Sequence, residues 1–438
     1  MTTGASFGPA VTRRALLGGG VAVAASLALA ACTGGGSGGT SGETIKFWNM
    51  QWNGVPFTTE AKKIVSGYKP TGKNLDVNYQ SVSWTNWYQT FTSAAASKTT
   101  PAVSDGAAFL PFLFQEQDLT YPADNVVAEL DKRGENDFIP GILDALKTDK
   151  GYAAVPWAED LRVLWYRKSI LEKAGAEVPT DWDSYIKAGV ALRKIGVTGL
   201  GMAASAASTD AHIIFCLMNN NGGGFFAEDG TPDCVTDRNI ETLEFMNECV
   251  AKGIIDPHAA SYTSDNLAAD WKSGKVAMGW DQVGLENRLP TDVAADAVVA
   301  SPIAGPHGDK GTAFWINPLW MFKTTPSRES SEAFLVYYLS QIHKLWETGV
   351  DTDVPVKKSI IESPKFQNNP NFMRAINEWQ PIAKTIAARS KSSFGGLVAV
   401  DGGTATTTLV QQVVQGGQDP KTMLETCQKG LEKELAQK

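Results

Sequence analysis

Residues 151–168 of this chain read GYAAVPWAEDLRVLWYRK. The segments 151–156 and 161–166 are almost entirely apolar, and short apolar runs of this kind are typical of buried strands. Residues 157–160 (WAED) separate the two runs and contain two adjacent carboxylates. The stretch predicts two strands joined by a short polar segment, in which Glu159 is expected to face solvent.

Short apolar strands and longer helices alternate on both sides of this stretch. Segments typical of strands are 44–48, 75–79, 276–280 and 319–322, and segments typical of helices are 59–68, 84–97, 237–252, 331–345 and 420–435. Thr180 and Asp183 have the spacing of a capping box, which predicts a helix with Trp182 in its first turn that runs to about Lys194. Strands that alternate with helices of ten or more residues predict an α/β fold with mainly parallel sheets.

Several segments, taken in order, resemble the extracellular solute-binding proteins of ABC importers, in the carbohydrate-binding group that includes maltose-binding protein. VPWAED and LWYRK resemble that family's crossover strand, in which Tyr-Asn-Lys is commoner than the Tyr-Arg-Lys of residues 166–168. The other matching segments are TIKFWN (44–49), AG (174–175), VPTDW (178–182), NGG (221–223), DG (229–230), FMNECVAKG (245–253), GKVAM (274–278), IAGP (303–306) and VPVKKS (354–359).

The resemblance implies an α/β fold of the type II periplasmic-binding-protein kind, in which crossover strands join two lobes and the ligand lies in the cleft between them. It implies that residues 43–158 and 303–352 form lobe 1, and that residues 162–302 and 353–438 form lobe 2. It also implies a binding protein and not an enzyme. Such a protein captures a sugar or oligosaccharide by hinge closure and delivers it to ABC permease subunits in the membrane, without a cofactor.

The first 42 residues have the features of an export and anchoring segment. An arginine pair at 13–14 resembles a twin-arginine signal, and the apolar run 21–31 is too short to span a hydrocarbon core of about 30 Å. The sequence LAAC at 29–32 resembles the bacterial lipobox, so residues 1–31 are expected to be removed and Cys32 to carry a lipid; an ordinary cleaved signal is the alternative. Residues 32–42 would then form the lipidated cysteine and a flexible Gly/Ser/Thr tether. We expect an exported protein anchored to the outer face of the cell membrane.

Composition disfavours several other classes of protein. The chain has 438 residues and a formal net charge of −8, which disfavours binding to nucleic acid or to an anionic membrane face. The four histidines are scattered and the cysteine spacing matches no metal motif, so no metal site is expected. The cysteines at 216, 234, 249 and 427 allow three disulfide pairings, and the pairing stays open. We expect a monomer.

Ligand clefts favour domain interfaces and the carboxyl ends of strands, so residues that follow predicted strands are the candidates for binding. A sugar ring offers hydroxyl groups at its edge and C–H groups on its face. Amides and carboxylates bind the hydroxyls, and indole rings pack against the face. The residues expected to bind ligand are Gln51, Trp52, Asn53, Trp84, Asp105, Trp157, Asp160, Asp210, Trp280, Asp281, Trp315, Asn317, Asp401, Gly402 and Gly403.

Several of these candidates have a structural alternative. Asp160 could form a salt bridge with Arg162 or Arg167 instead of binding ligand. Trp157 could pack beneath the hinge, and Asp210 could be the N-cap of the helix that follows it.

Other predictions depend on where strands and helices begin. Residues 280–281 are expected at the end of one strand, and residues 315–317 just before another. Residues 401–403 are expected to open a helix that extends to Gln415, where backbone N–H groups could bind a ligand; a plain Asp cap is the alternative. Trp87, three residues after Trp84, is expected in the core.

Two other functions compete with sugar binding. A secreted glycoside hydrolase would need a pair of carboxylates about 5–10 Å apart, and the order of the family motifs disfavours it. A binding protein for a non-sugar solute, such as a glycerol phosphodiester, a peptide or a polyamine, is the other alternative. Phosphate ligands require Arg or Lys in the cleft, and the candidate residues include neither. The identity of the sugar stays open.

Overall fold

A computed structural model describes residues 43–205, 211–351 and 353–436, which form a mixed α/β structure. The strands are β1 (Ile45–Met50), β2 (Val77–Val82), β3 (Val103–Asp105), β4 (Thr120–Tyr121), β5 (Lys147–Thr148), β6 (Gly151–Tyr152), β7 (Val155–Arg167), β8 (Met278–Gln282), β9 (Ala297–Val299), β10 (Thr312–Phe322), β11 (Val354–Pro355) and β12 (Ala383–Lys384).

The helices connect and cover these strands. They are α1 (Val55–Ser66), α2 (Trp87–Ser97), α3 (Leu110–Glu116), α4 (Asp124–Arg133), α5 (Lys168–Ala174), α6 (Trp182–Lys194), α7 (His212–Asn220), α8 (Asp237–Ala251), α9 (Ser264–Ser273), α10 (Thr291–Ala294), α11 (Arg328–Gln341), α12 (His343–Glu347), α13 (Lys358–Ile361), α14 (Pro364–Gln367), α15 (Pro370–Arg374), α16 (Leu397–Gly402), α17 (Ala405–Gln415) and α18 (Pro420–Ala436). Among the described residues, no helix has the length and apolar character needed to cross a membrane.

The strand β7 joins two regions of sheet. Its first half pairs with β10 and β11, and its second half pairs with β8 and β9. Most of its side chains are buried, because partner strands flank it along its length. The expected interruption at residues 157–160 is therefore wrong: hydrogen bonds to β10 and β11 keep these residues extended, and one strand of 13 residues replaces the two predicted. Glu159 is also buried, with 1% of its surface exposed, and the expectation that it faces solvent is wrong.

Strand direction differs from the expected mainly parallel arrangement. Parallel pairs join β1 to β2, β1 to β3 and β10 to β12. The pairs that β7 makes with β8, β9, β10 and β11 are antiparallel, as are those of β10 with β3 and β4. The reason is that β7 and β10 carry the chain across the sheet in opposite directions. Parallel pairs form where a helix returns the chain to the starting end of the sheet before the next strand. The helix α1 does this between β1 and β2, and α2 does it between β2 and β3.

The start of α6 shows how local hydrogen bonds set a helix boundary. The carboxylate of Asp181 accepts a hydrogen bond from Ser184 N at 2.7 Å, and Ser184 Oγ accepts one from Asp181 N at 3.0 Å. The capping box is therefore Asp181 with Ser184, and the predicted pair one residue earlier is wrong. The helix itself, with Trp182 first and Lys194 last, is confirmed.

Aromatic clusters hold the inner strands rigid on each side of β7. The ring of Trp320 on β10 lies 5.8 Å from that of Phe91 on α2. On the other side, Tyr185 of α6 stacks on Trp280 of β8 with ring centroids 5.8 Å apart. Buried aromatic pairs of this kind restrict side-chain rotation. Residues at the inner ends of these strands therefore occupy defined positions.

Candidate functional site

One cavity, which encloses about 560 Å³, brings together more than half of the predicted residues. Small-molecule sites typically occupy about 300–1,000 Å³. The predicted residues that line it are Trp52, Trp84, Asp160, Trp280, Asp281, Trp315, Asn317 and Asp401. A second cavity of about 440 Å³, between α12 and α14, contains none of the predicted residues.

Other predicted residues lie elsewhere. Gln51 is exposed and does not line the cavity. Asn53 donates a hydrogen bond to Asp351 at 3.1 Å. The glycines at 402–403 line a different cavity, against α17 and α18. Asp210 and Cys32 lie outside the described residues.

Three tryptophans form one wall of the cavity, which we call the tryptophan cluster: Trp52, Trp84 and Trp87. The rings of Trp52 and Trp84 meet edge to face at 4.8 Å, and those of Trp84 and Trp87 at 6.3 Å. Trp157 is fully buried and supports the cluster from beneath, 5.3 Å from Trp52. Trp157 therefore packs behind the tryptophan cluster and does not line the cavity.

Asp105 orients this wall without lining the cavity. The buried carboxylate accepts hydrogen bonds from Met50 N at 2.6 Å and Trp52 Nε1 at 3.1 Å, and it also accepts one from the Asn49 amide. Burial raises the pKa of Asp105 to about 7, although these hydrogen bonds act in the opposite direction. The carboxyl group therefore fixes the Trp52 indole against its neighbours.

Two further tryptophans face the cavity from β8 and β10. The Trp280 ring packs on Tyr185, and the Trp315 ring stacks on His212 with centroids 4.0 Å apart. Trp315 Nε1 donates to Asp401 Oδ1 at 3.0 Å. Both indoles are about 5% exposed, so most of each ring is held by protein and one edge or face remains at the cavity.

A charged network forms part of the cavity wall. Arg162 donates two hydrogen bonds to the Asp160 carboxylate, at 2.8 and 2.9 Å. The same guanidinium lies 3.2 Å from His212 Nδ1 and over the ring of Trp315. Asp401 lies 3.6 Å from His212 Nε2. The salt bridge considered as an alternative for Asp160 is present, and this carboxylate lines the cavity as well.

The remaining charges give the cavity an acidic balance. Arg288 donates to Asp281, so this arginine is ion-paired inside the cavity, as Arg162 is. Asp353 accepts from Asn317 at 2.7 Å, and burial followed by the charge of a neighbouring carboxylate raises its pKa well above the usual value. The candidate residues included no arginine, yet Arg162 and Arg288 line the cavity. Five aspartates against two paired arginines nevertheless favour a ligand that donates hydrogen bonds.

Three predicted element boundaries are wrong near the site. Residues 280–281 lie within β8, and residues 315–317 lie within β10, each as part of a longer or shifted strand. Residues 401–402 end α16, and Gly403 lies between two helices. The predicted helix start at 401–403, where backbone N–H groups could bind a ligand, is therefore absent there. Asp401 instead contributes its carboxylate side chain to the cavity wall.

Several lining residues were not predicted, and their signals differ. Arg162 lies two residues after Asp160 on β7, and alternate residues of a strand share a face. The position of Arg162 could therefore have been predicted from that of Asp160. Trp87 was predicted as core, and it both packs in the core and lines the cavity. Arg288 ends a short 3₁₀ helix and Asp353 lies just before β11, and no local pattern indicates either of them.

The cavity and the fold can be compared with those of known proteins. The chain is 46% identical to a sugar transporter from Arthrobacter chlorophenolicus A6, which was solved with bound laminaribiose. The match covers 89% of this chain and 99% of that one, with a TM-score of 0.84. The GacH receptor of Streptomyces glaucescens, solved with acarbose, is 21% identical, with coverage of 90% and 98% and a TM-score of 0.71. An arabinooligosaccharide-binding protein of Halalkalibacterium halodurans is 24% identical over 58% of each chain.

These similarities confirm the predicted two-lobe α/β fold, since the matched structures span nearly the whole described part of the chain. Residues 54–342 also match the family described as "Bacterial extracellular solute-binding protein". The chain belongs to the bacterial extracellular solute-binding protein family.

Proposed function

We propose that this chain captures a short glucose oligosaccharide, with laminaribiose as the reference ligand, and delivers it to an ABC permease without altering it. The observation that carries the proposal is the cavity itself, where five indole rings and five aspartates meet. Indole faces pack against the C–H faces of sugar rings, and carboxylates accept hydrogen bonds from their hydroxyls. The laminaribiose held by the 46% identical protein supports this choice of ligand.

The mechanism is a closure of two lobes around the ligand. Cavity residues on β7, β8 and β10 are joined through one continuous sheet, so a hinge there would change the width of the cavity. Ligand shifts the population towards the closed form only if it binds that form more tightly than the open one. The closed form would then be recognised by the permease, and a separate ATPase would supply the energy.

The lobe limits are part of the proposal, with one refinement. Asn220 donates to Ile303 O at 2.9 Å, and Arg238 pairs with Asp309 at 2.9 Å. These contacts support assigning residues 303–311 to lobe 2, so that the second crossing occurs within β10.

A ligand panel tests the function. Laminaribiose is expected to raise the melting temperature of the purified chain and to give a saturable heat of binding, and ligand at 100 times its Kd stabilises the fold by about 2.7 kcal/mol. Maltose, cellobiose, a glycerol phosphodiester, a peptide and a polyamine serve as comparisons.

Two outcomes would contradict the proposal. A melting shift only with the amine, peptide or phosphodiester would reject the carbohydrate ligand. Release of glucose from laminaribiose during incubation would reject binding without chemistry and favour a hydrolase. Unchanged disaccharide recovered from the complex is the expected result.

Membrane anchoring through Cys32 is a separate part of the proposal. The lipobox-like LAAC at 29–32 and the membership of an extracellular family support it. In a bacterial host, the wild-type chain is expected to enter the detergent phase on phase partition, whereas Cys32→Ser should move to the aqueous phase because two acyl chains are lost. Thr33→Ser is the matched control and should partition like wild type. A detergent-phase Cys32→Ser variant would show that Cys32 is not the anchor.

A further inference from the structure

Two cysteines that are 193 positions apart in the chain lie together in the fold. Cys427, on α18, lies beside Cys234, in the segment that precedes α8, and the Cys234 thiol donates to Phe225 O at 3.7 Å. The backbone confirms the proximity, since Cys234 N donates to the side chain of Gln428, the next residue of α18, at 3.0 Å. Both thiols are buried, with 0% and 3% of the residue surface exposed.

The other two cysteines of the described chain have different surroundings. The Cys216 thiol lies near Arg162, the side chain of Thr312 and the backbone of Ala313. Cys249, on α8, lies near Tyr185. Four cysteines allow three pairings by sequence alone, and the geometry favours the pairing of Cys234 with Cys427.

We propose that Cys234 and Cys427 form a disulfide bond in the working protein. The family is extracellular, and structural disulfides persist in such oxidising surroundings. The two thiols together lose two protons and two electrons as the S–S bond forms. A disulfide-containing oxidant, such as oxidised glutathione or an oxidised thiol oxidoreductase, accepts them and becomes two thiols.

The bond would fasten the C-terminal helix to the segment that precedes α8. Glu434, on the same helix, accepts hydrogen bonds from Thr404 N at 2.7 Å and Ala405 N at 3.0 Å, at the start of α17. The end of α16, which carries Asp401 into the cavity, lies directly before these two residues. Cross-linking α18 therefore resists separation of the helices that hold Asp401 in place.

The burial of both sulfurs determines how the test is performed. An oxidant reaches them before α18 has packed, so the full chain is unfolded, reduced and refolded with oxidised and reduced glutathione. Free thiols are then alkylated in denaturant, and the peptides are mapped by mass spectrometry without reduction. We expect one linked peptide pair containing Cys234 and Cys427, with Cys216 and Cys249 alkylated. A chain refolded in the presence of a reductant should have a Tm lower by roughly 5 °C than the oxidised chain.

Variants separate the bond from other effects of reductant. Cys234→Ala should abolish the linked peptides, leave Cys427 alkylated and remove the reductant-dependent shift in Tm. Cys249→Ala, a matched change at another buried cysteine, should retain both the link and the shift. Recovery of Cys234 and Cys427 as alkylated thiols after oxidative refolding, or a link to Cys216 or Cys249, would overturn the proposal. The mapping needs no ligand, so its outcome is independent of the sugar-binding proposal.

Discussion

A Trp52→Ala variant is expected to bind laminaribiose about 30-fold more weakly than the wild-type chain, because truncation of a central tryptophan in a binding site often costs about 2 kcal/mol of binding free energy. Trp52 lines the cavity between Trp84 and Trp157. Its ring is oriented by Asp105, so ligand meets a surface that is already in position. Removing the indole deletes the packing surface and leaves Trp84 with the Trp87 ring but without the Trp52 ring at its edge.

The affinity is measured by titration calorimetry, and the melting temperature is recorded for each variant. Trp48→Ala is the matched control, because Trp48 is also half-buried and packs on Phe91, yet it lies outside the cavity lining. Trp48→Ala should retain wild-type affinity for ligand even if its melting temperature falls. Equal losses of affinity in the two variants would mean that the effect arises from the fold, and unchanged affinity in Trp52→Ala would remove the tryptophan cluster from the site.

Glu159→Gln is expected to stabilise the chain against unfolding at pH 9 by roughly 4 kcal/mol and to change little at pH 5. Glu159 lies in the middle of β7, and its Oε2 is buried with no hydrogen-bond partner in the described structure. Burial, followed by the charge of Asp160, raises its pKa from 4.5 to about 8. An ionised carboxylate at this position is therefore costly, and the neutral amide avoids that cost.

The sign of the effect follows from proton binding. Between about pH 4.5 and pH 8, the folded chain keeps the proton on Glu159 whereas the unfolded chain has released it. The free energy of unfolding therefore falls as pH rises through this window. Asp105, with a pKa raised to about 7, contributes in the same direction. Glu159→Gln removes one of these two contributions and should flatten the pH dependence without abolishing it.

Urea unfolding at pH 5, 7 and 9 measures the effect. Glu172→Gln, at an exposed position of α5, is the control and should follow the wild-type curve at each pH. A Glu159→Gln variant that is destabilised equally at all three pH values would show that the carboxylate has a partner at neutral pH.

Much of the fold could be predicted from local pattern. The strand β1, the helices α6 and α8 and the C-terminal helix appear near the predicted positions, because each buries one apolar face with a regular period. The break predicted at residues 157–160 was wrong, because Glu159 and Asp160 interrupt the apolar pattern without interrupting the strand. Carboxylates are tolerated there because Asp160 is ion-paired and Glu159 holds its proton.

The residues of the site could likewise be predicted only in part, because some follow a local sequence pattern and others depend on distant parts of the chain. Tryptophans and aspartates near strand ends were recognisable, and eight of the predicted residues do line one cavity. The partners that orient them were not recognisable. Trp315 donates a hydrogen bond to Asp401, 86 positions later, and Asn317 donates one to Asp353, 36 positions later.

The sequence by itself determined the family, the α/β class and the aromatic and acidic character of the cavity, because these depend on residue type and on order along the chain. Only the tertiary structure decided which acids line the cavity, which ones orient a tryptophan, and which are paired with arginine. Most of those roles depend on hydrogen bonds of about 3 Å between groups far apart in sequence, such as Trp52 with Asp105 and Trp315 with Asp401. Pairing of β1 with β3 brings the first two together, and pairing of β10 with β7 places Trp315 beside Asp160.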